Sequence, residues 1–228
     1  MKTMLIPAVA LLSAATLATP VIAGLPQETE RIDRTVPIRA NGELRLNSFS
    51  GKVTITGTNR ADVSIHAVRR ASRDRLDRIK LEISETGSGV RIEANKRDYD
   101  SSDRDNNVVE TDFDIEVPSD VSLDVHVFSS NVEVSDVRGK QQVHTFSGDV
   151  DLNGVWGSID AKTFSGNVTV KLANAAGGHL EFDSFSGALR SDVPLTYHSG
   201  SRRRINGDIG SGSNDYHIKT FSGDVRIR

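Results

Sequence analysis

Gln141-Gln142-Val143-His144-Thr145-Phe146-Ser147-Gly148-Asp149-Val150-Asp151-Leu152 is followed, 18 positions on, by Ile159-Asp160-Ala161-Lys162-Thr163-Phe164-Ser165-Gly166-Asn167-Val168-Thr169-Val170. In both segments apolar and polar residues alternate on either side of a Phe-Ser-Gly corner. That period-2 alternation is the mark of a half-buried strand. Each unit therefore reads as two short strands joined by a turn. Glycine reaches positive φ at little cost, and Ser, Asn and Asp side chains bond nearby backbone groups.

The phrase recurs at Ser48-Phe49-Ser50-Gly51, Val127-Phe128-Ser129-Ser130, Ser184-Phe185-Ser186-Gly187 and Thr220-Phe221-Ser222-Gly223. Phe128 lies 18 residues before Phe146, and Phe164 lies 21 before Phe185. A degenerate copy, Ile205-Asn206-Gly207-Asp208, divides the remaining stretch to Phe221 into steps of 20 and 16. Apolar residues recur three positions before the aromatic (Leu46, Val125, Val143, Ala161, Phe182, Ile218) and four after it (Val53, Val132, Val150, Val168, Leu189, Val225). The pattern predicts an all-β chain: a β-solenoid, β-helix-like, of roughly 18-residue coils, preceded by an antiparallel β capping region. One coil buries too little to stand alone, so coils must share faces with their neighbours. Stacking places phenylalanine over phenylalanine in an aromatic ladder beside the Val and Ile ladders. The expectation is that aspartate at Phe146 or Phe164 unfolds the repeat half.

Upstream, Lys2, an apolar run from Met4 to Ala18 and Val21-Ile22-Ala23 read as a secretory signal peptide, residues 1–23, cleaved after Ala23. The run is shorter than the ~20 residues a spanning helix needs. Residues 24–120 form the expected capping region. Its strands are Ala61–Val68, Lys80–Ser84, Val90–Ala94 and Phe113–Val117, with a hairpin turn at Glu85–Gly89, a helical turn within Arg69–Leu76 and a polar loop from Arg97 to Asn107. Residues 121–228 form the expected repeats. The mature chain is then periplasmic or secreted and does not span a membrane.

Composition narrows the function classes. The chain has 228 residues, 28 basic and 31 acidic, for a net charge of −3, so no net field draws it to nucleic acid. It has no cysteine, which excludes disulfides, zinc thiolates and thiol catalysis. At 36% hydrophobic and 5% aromatic, the chain suits a narrow core of Val, Ile and Leu.

Phe113-Asp114-Ile115-Glu116-Val117-Pro118-Ser119-Asp120-Val121-Ser122-Leu123-Asp124-Val125, followed by the Ser-Gly-Asp/Asn-Val turns, resembles the DUF4097 family, β-strand repeat proteins of bacterial envelopes that are named as adhesins. The resemblance runs from about Glu43 to Arg228. It implies adhesion and brings no catalytic residues. Ser130 in place of glycine, and the irregular stretch from Ser191 to Asn214, depart from the pattern.

Several residues have side chains that could carry chemistry. Stacking brings His126 about 4.8 Å from His144, but Gln142 and Lys162 beside them make poor metal ligands. Asp149, Asp208 and Asp224 follow turn glycines and read as turn formers, because Lys52, Asn131, Asn167 and Ala188 share their column and break a calcium ladder. Arg202-Arg203-Arg204 reads as a solvated loop, with a phosphate or acidic-sugar grip as the alternative. Trp156 falls at a turn between coils, as a packed cap or a sugar platform. Repeated Phe-Ser-Gly serines lack a unique base and are not nucleophiles. No catalytic, cofactor-binding or metal site is therefore expected, no cofactor is called for, and the binding surface is undetermined. The reading is an exported non-catalytic β-repeat protein, an adhesin or an envelope binding or scaffold module. Its partner is an envelope or surface ligand, protein or polysaccharide. The alternatives are a β-helical enzyme acting on polysaccharide and a structural or stress-sensing envelope component.

Overall fold

A computed structural model describes residues 27–97, 108–173 and 176–228. The signal-peptide segment and most of the polar stretch before Asn107 lie outside the described residues. The fold is all-β, with one open sheet of 17 strands. The strands are β1 (Glu28–Pro37), β2 (Glu43–Thr58), β3 (Asp62–Ala71), β4 (Ile79–Glu85), β5 (Gly89–Arg97), β6 (Glu110–Pro118), β7 (Ser122–Ser135), β8 (Gln141–Ser147) and β9 (Val150–Val155). They continue as β10 (Ile159–Ser165), β11 (Val168–Leu172), β12 (Gly178–Ser184), β13 (Leu189–Ser191), β14 (Leu195–Ser201), β15 (Arg204–Ile209), β16 (Asn214–Ser222) and β17 (Val225–Ile227). The charged stretch read as a helical turn, Arg69–Leu76, overlaps α1 (Arg73–Arg78), while its first three residues belong to β3.

The repeats pair in parallel with like residues opposite. Leu46 faces Val125, Val125 faces Val143, and Val143 faces Ala161. Past each corner, Val53 faces Val132, Val132 faces Val150, and Val150 faces Val168. Each unit with its corner forms one rung. Side chains from both strands of every rung point into one core of Val, Ile and Leu, most of it fully buried.

Rung order departs from chain order. The C-terminal rung, β16 and β17, lies between β10–β11 on one side and β12–β13 on the other. The degenerate copy at Ile205–Asp208 is not a rung. It lies in β15, which runs antiparallel to β12 with Ile205 opposite Phe182, and β14 in turn pairs with β15. Ile205 thus falls in the column three residues before the aromatics. A reversed strand closes the flank of β12 where another parallel rung was expected.

At the other end, β2 pairs in parallel with β5, β6 and β7. Antiparallel strands flank this rung: β4 on β5, and β3 then β1 on β6. The Glu85–Gly89 turn closes with Thr86 and Gly89 exchanging backbone hydrogen bonds at 2.7 and 3.3 Å.

Candidate functional site

The six repeat phenylalanines form one continuous stack in the order 49, 128, 146, 164, 221, 185. Ring centroids are 4.6–4.8 Å apart; planes tilt by 3–5°, except 18° between Phe49 and Phe128. The ladder exists, but outside the core. Phe146 is 45% exposed and Phe185, at its end, 62%. The reason is parity. In β8, Gln141, Val143 and Thr145 point inward, so Phe146 points outward with Gln142 and His144. Each inner ring has its faces covered by its neighbours, which leaves an edge-on ribbon of aromatic C–H. Ring edges carry the positive end of the aromatic quadrupole.

Two residues before the ladder runs a second outward column: Asn47, His126, His144, Lys162, Lys219, Asp183. On an extended strand the two columns stand roughly 6.6 Å apart. A groove of about 900 Å³ follows them along the stack. Its floor is the intervening column, which includes Thr145, Thr163 and Thr220. The hydroxyls of Thr145 and Thr163 are buried with no hydrogen-bond partner among the described residues, whereas Thr220 bonds Ser184 at 3.0 Å.

The charged column has a graded character. His126 and His144 stand edge to face with centroids 4.8 Å apart, the separation the repeat predicts. His126 bonds Asp124 at 2.7 Å, and Arg45 Nε donates to the same carboxylate at 2.8 Å. Burial, then Lys162, push the His144 imidazole below its usual range, against the pull of Asp160. Burial by itself raises the Asp160 carboxyl, but the Lys162 ammonium at 2.9 Å, with His144 and His217, holds it below the usual carboxylate range. Lys162 is thereby paired. Lys219, its neighbour on the next rung, is exposed and has no ion-pair partner among the described residues. Arg204 pairs with Asp183 at 3.3 Å.

The other flagged residues separate. Asp149 and Asp224 are structural. The Asn131 Oδ1 accepts from the Asp149 backbone N–H at 3.0 Å, Asp149 from Asn167 at 2.7 Å, Asn167 from Asp224 at 3.0 Å, and Asp224 from Ala188 at 3.0 Å. Each side chain staples the next rung. Ala188 ends the staircase because β13 has no further parallel rung to hold. Replacing Asn167 with alanine removes the partner of one backbone N–H, at a cost of about 1 kcal/mol. The expected fall in melting temperature is roughly 2–4 °C; an unchanged thermal melt would show that the staple contributes nothing.

Asp208 is different. It lies in β15 and accepts from His179 at 2.9 Å and His198 at 2.6 Å, hydrogen bonds that hold its carboxyl below the usual range. Among the described residues no group of three or more His, Asp or Glu is placed to hold a metal ion. The arginine cluster spans the exposed β14–β15 turn. Trp156 sits at the turn between β9 and β10, 46% exposed, with the Arg138 guanidinium 6.0 Å from its ring centroid. The alternation sets Lys219 on the outward polar face without giving it a role; the same parity turns the phenylalanines outward, and the opposite parity sets the threonines beneath them.

No helix among the described residues is long and apolar enough to cross a membrane. No curated protein sequence matches the chain. Among solved structures, a "putative cell adhesion protein" from Clostridium sporogenes aligns over 88% of this chain and 99% of its own, at 15% identity and a TM-score of 0.64. At that identity the likeness is one of fold. A "putative adhesin" from Bacteroides fragilis aligns over 87% of this chain and 97% of its own, at 10% identity and a TM-score of 0.33. The model of the Toastrack DUF4097 family matches residues 109–228, from just before β6 through the last rung. That match spans more than half of the sequence and holds five of the six ladder phenylalanines, and the chain belongs to the Toastrack DUF4097 family.

Proposed function

We propose that the protein is an exported, non-catalytic binding module of the bacterial envelope, periplasmic or secreted, that holds a surface ligand through its aromatic ladder. In this reading it is a β-solenoid of roughly 18-residue coils. Residues 24–120 close one end, and the leader is removed after Ala23. One observation carries the proposal: six stacked phenylalanines, each 39–62% exposed, line one outer face. A contiguous apolar patch on a soluble protein is uncommon and marks an interaction surface. Equally spaced repeated contacts suit an extended ligand or surface better than a compact substrate. The adhesion name of the clostridial protein points the same way.

The test is co-sedimentation of the protein with purified peptidoglycan, lipopolysaccharide and envelope vesicles. The wild type is expected to be retained by at least one of them. Changing both Phe128 and Phe146 to serine is expected to weaken retention about tenfold or more, as loss of central aromatic anchors does. Equal retention of the two proteins would remove the ladder from the binding role.

A further inference from the structure

The groove is more specific than an apolar patch. The geometry points to a single long-chain anionic amphiphile as its occupant, the acyl chain lying along the phenylalanine ribbon and the anionic head at Lys219. This rests on the binding role proposed for the ladder and names the ligand class.

The shape excludes the obvious competitors. A glycan stacks on aromatic faces, but every ring between Phe49 and Phe185 has both faces covered at 4.6–4.8 Å. An extended peptide presents side chains to one side every second residue, roughly 6.6 Å apart, out of step with the ladder. A polymethylene chain has no side-chain register and fits a uniform ribbon at any offset. A bilayer is flat, whereas the ladder and the charged column flank a groove of about 900 Å³.

Charge sets the orientation. Lys219 is the cation of the wall without an ion-pair partner among the described residues, and Lys162 stands in register beside it. Asp183, on the other side of Lys219, is occupied by Arg204 at 3.3 Å. From Lys162 toward Asn47 the wall changes to His144, His126 and Asn47. Burial and Lys162 keep His144 below its usual range, so it adds no charge there at neutral pH. The groove thus has a cationic end beside Phe164 and Phe221 and a less polar run beside Phe146, Phe128 and Phe49. An anionic head with a long tail matches both.

Isothermal titration of the protein with dispersed palmitate tests this, with hexadecyltrimethylammonium as the cation of the same chain length and phosphatidylglycerol vesicles as the bilayer probe. Palmitate is expected to bind at one site per chain. Phe146→Ser and Lys219→Gln are each expected to weaken it about tenfold, and the cationic amphiphile to bind at least about tenfold more weakly. Lys219 is exposed, so its variant isolates the charge without disturbing the fold, which circular dichroism checks. Absence of palmitate binding, equal binding of the cation, unaltered binding in both variants, or capture by vesicles alone would each overturn the assignment. Envelope retention that depends on Phe128 and Phe146, with no palmitate binding, overturns the acyl ligand and leaves the ladder a binding surface. Palmitate binding that tracks both variants, without envelope retention, supports the ligand and overturns the adhesive role.

Discussion

Gly166→Ala is expected to destabilise the protein by on the order of 3 kcal/mol, a fall in melting temperature of roughly 10 °C. Two independent constraints meet at this corner. Gly166 has φ near +152°, a conformation that side chains rarely adopt, and a Cβ there would lie 2.1 Å from the carbonyl oxygen of Gly148 on the next rung. The obstacle is backbone, so a rotamer change cannot relieve it. The rungs must separate, stretching bonds such as Gly148 N–H to the Ser165 carbonyl at 3.0 Å. The same contact recurs at Gly148, against the carbonyl of Ser130, and at Gly223, against that of Gly166. Gly87, in the β4–β5 turn, is the control: a Cβ there meets nothing within 4 Å. Gly87→Ala is expected to leave the melt within about 0.5 kcal/mol of wild type. If the two variants melt alike, the corners are not packed rung on rung as described.

The glycine column was legible as a turn signal, and the strand alternation as strands. The reason for glycine was only half legible. Sequence shows a residue that tolerates positive φ; the neighbouring carbonyl is a property of the stack. Ser130 illustrates the difference. It takes the glycine position in β7 without positive φ, although Gly51, its register partner in β2, has φ near +118°.

Three features escaped for identifiable physical reasons. The first is the facing of the phenylalanines. Bulk and regular spacing argued for a core, but a side chain three positions from a buried valine on one strand points the other way. The second is rung order. Neighbouring rungs are chemically alike, so nothing local tells the last repeat to insert beside β10 rather than to follow β15. The third is Asp208. In a parallel rung it would belong to the Asx staircase. Because β15 is reversed, it meets His179 across the strand pair and His198 from β14 instead. The irregular stretch from Ser191 to Asn214, which holds β14 and the reversed β15, was the visible trace of that reversal.

Val143→Asp and Phe146→Asp should separate the core from the site most sharply. The two positions lie three residues apart on β8 and share rung neighbours, so chain location is controlled. Val143 is fully buried between Val125 and Ala161. An unpaired buried charge costs several kcal/mol, on top of the lost packing. Against a total stability of about 5–15 kcal/mol, that is enough to unfold the chain or leave it unfolded over much of the accessible temperature range. Phe146→Asp removes two ring stacks, at about 0.5–1.5 kcal/mol each, and leaves its carboxylate in water. That variant is expected to stay folded at 25 °C with a lowered melting temperature, and to lose ligand retention. Circular dichroism melts with envelope co-sedimentation read both quantities. Unfolding by Phe146→Asp as complete as by Val143→Asp would mean that the ladder is structural and that its exposure serves no partner. A folded Phe146→Asp protein that no longer binds locates function on the outside of the stack, where each ring is held by the rungs and free at its edge.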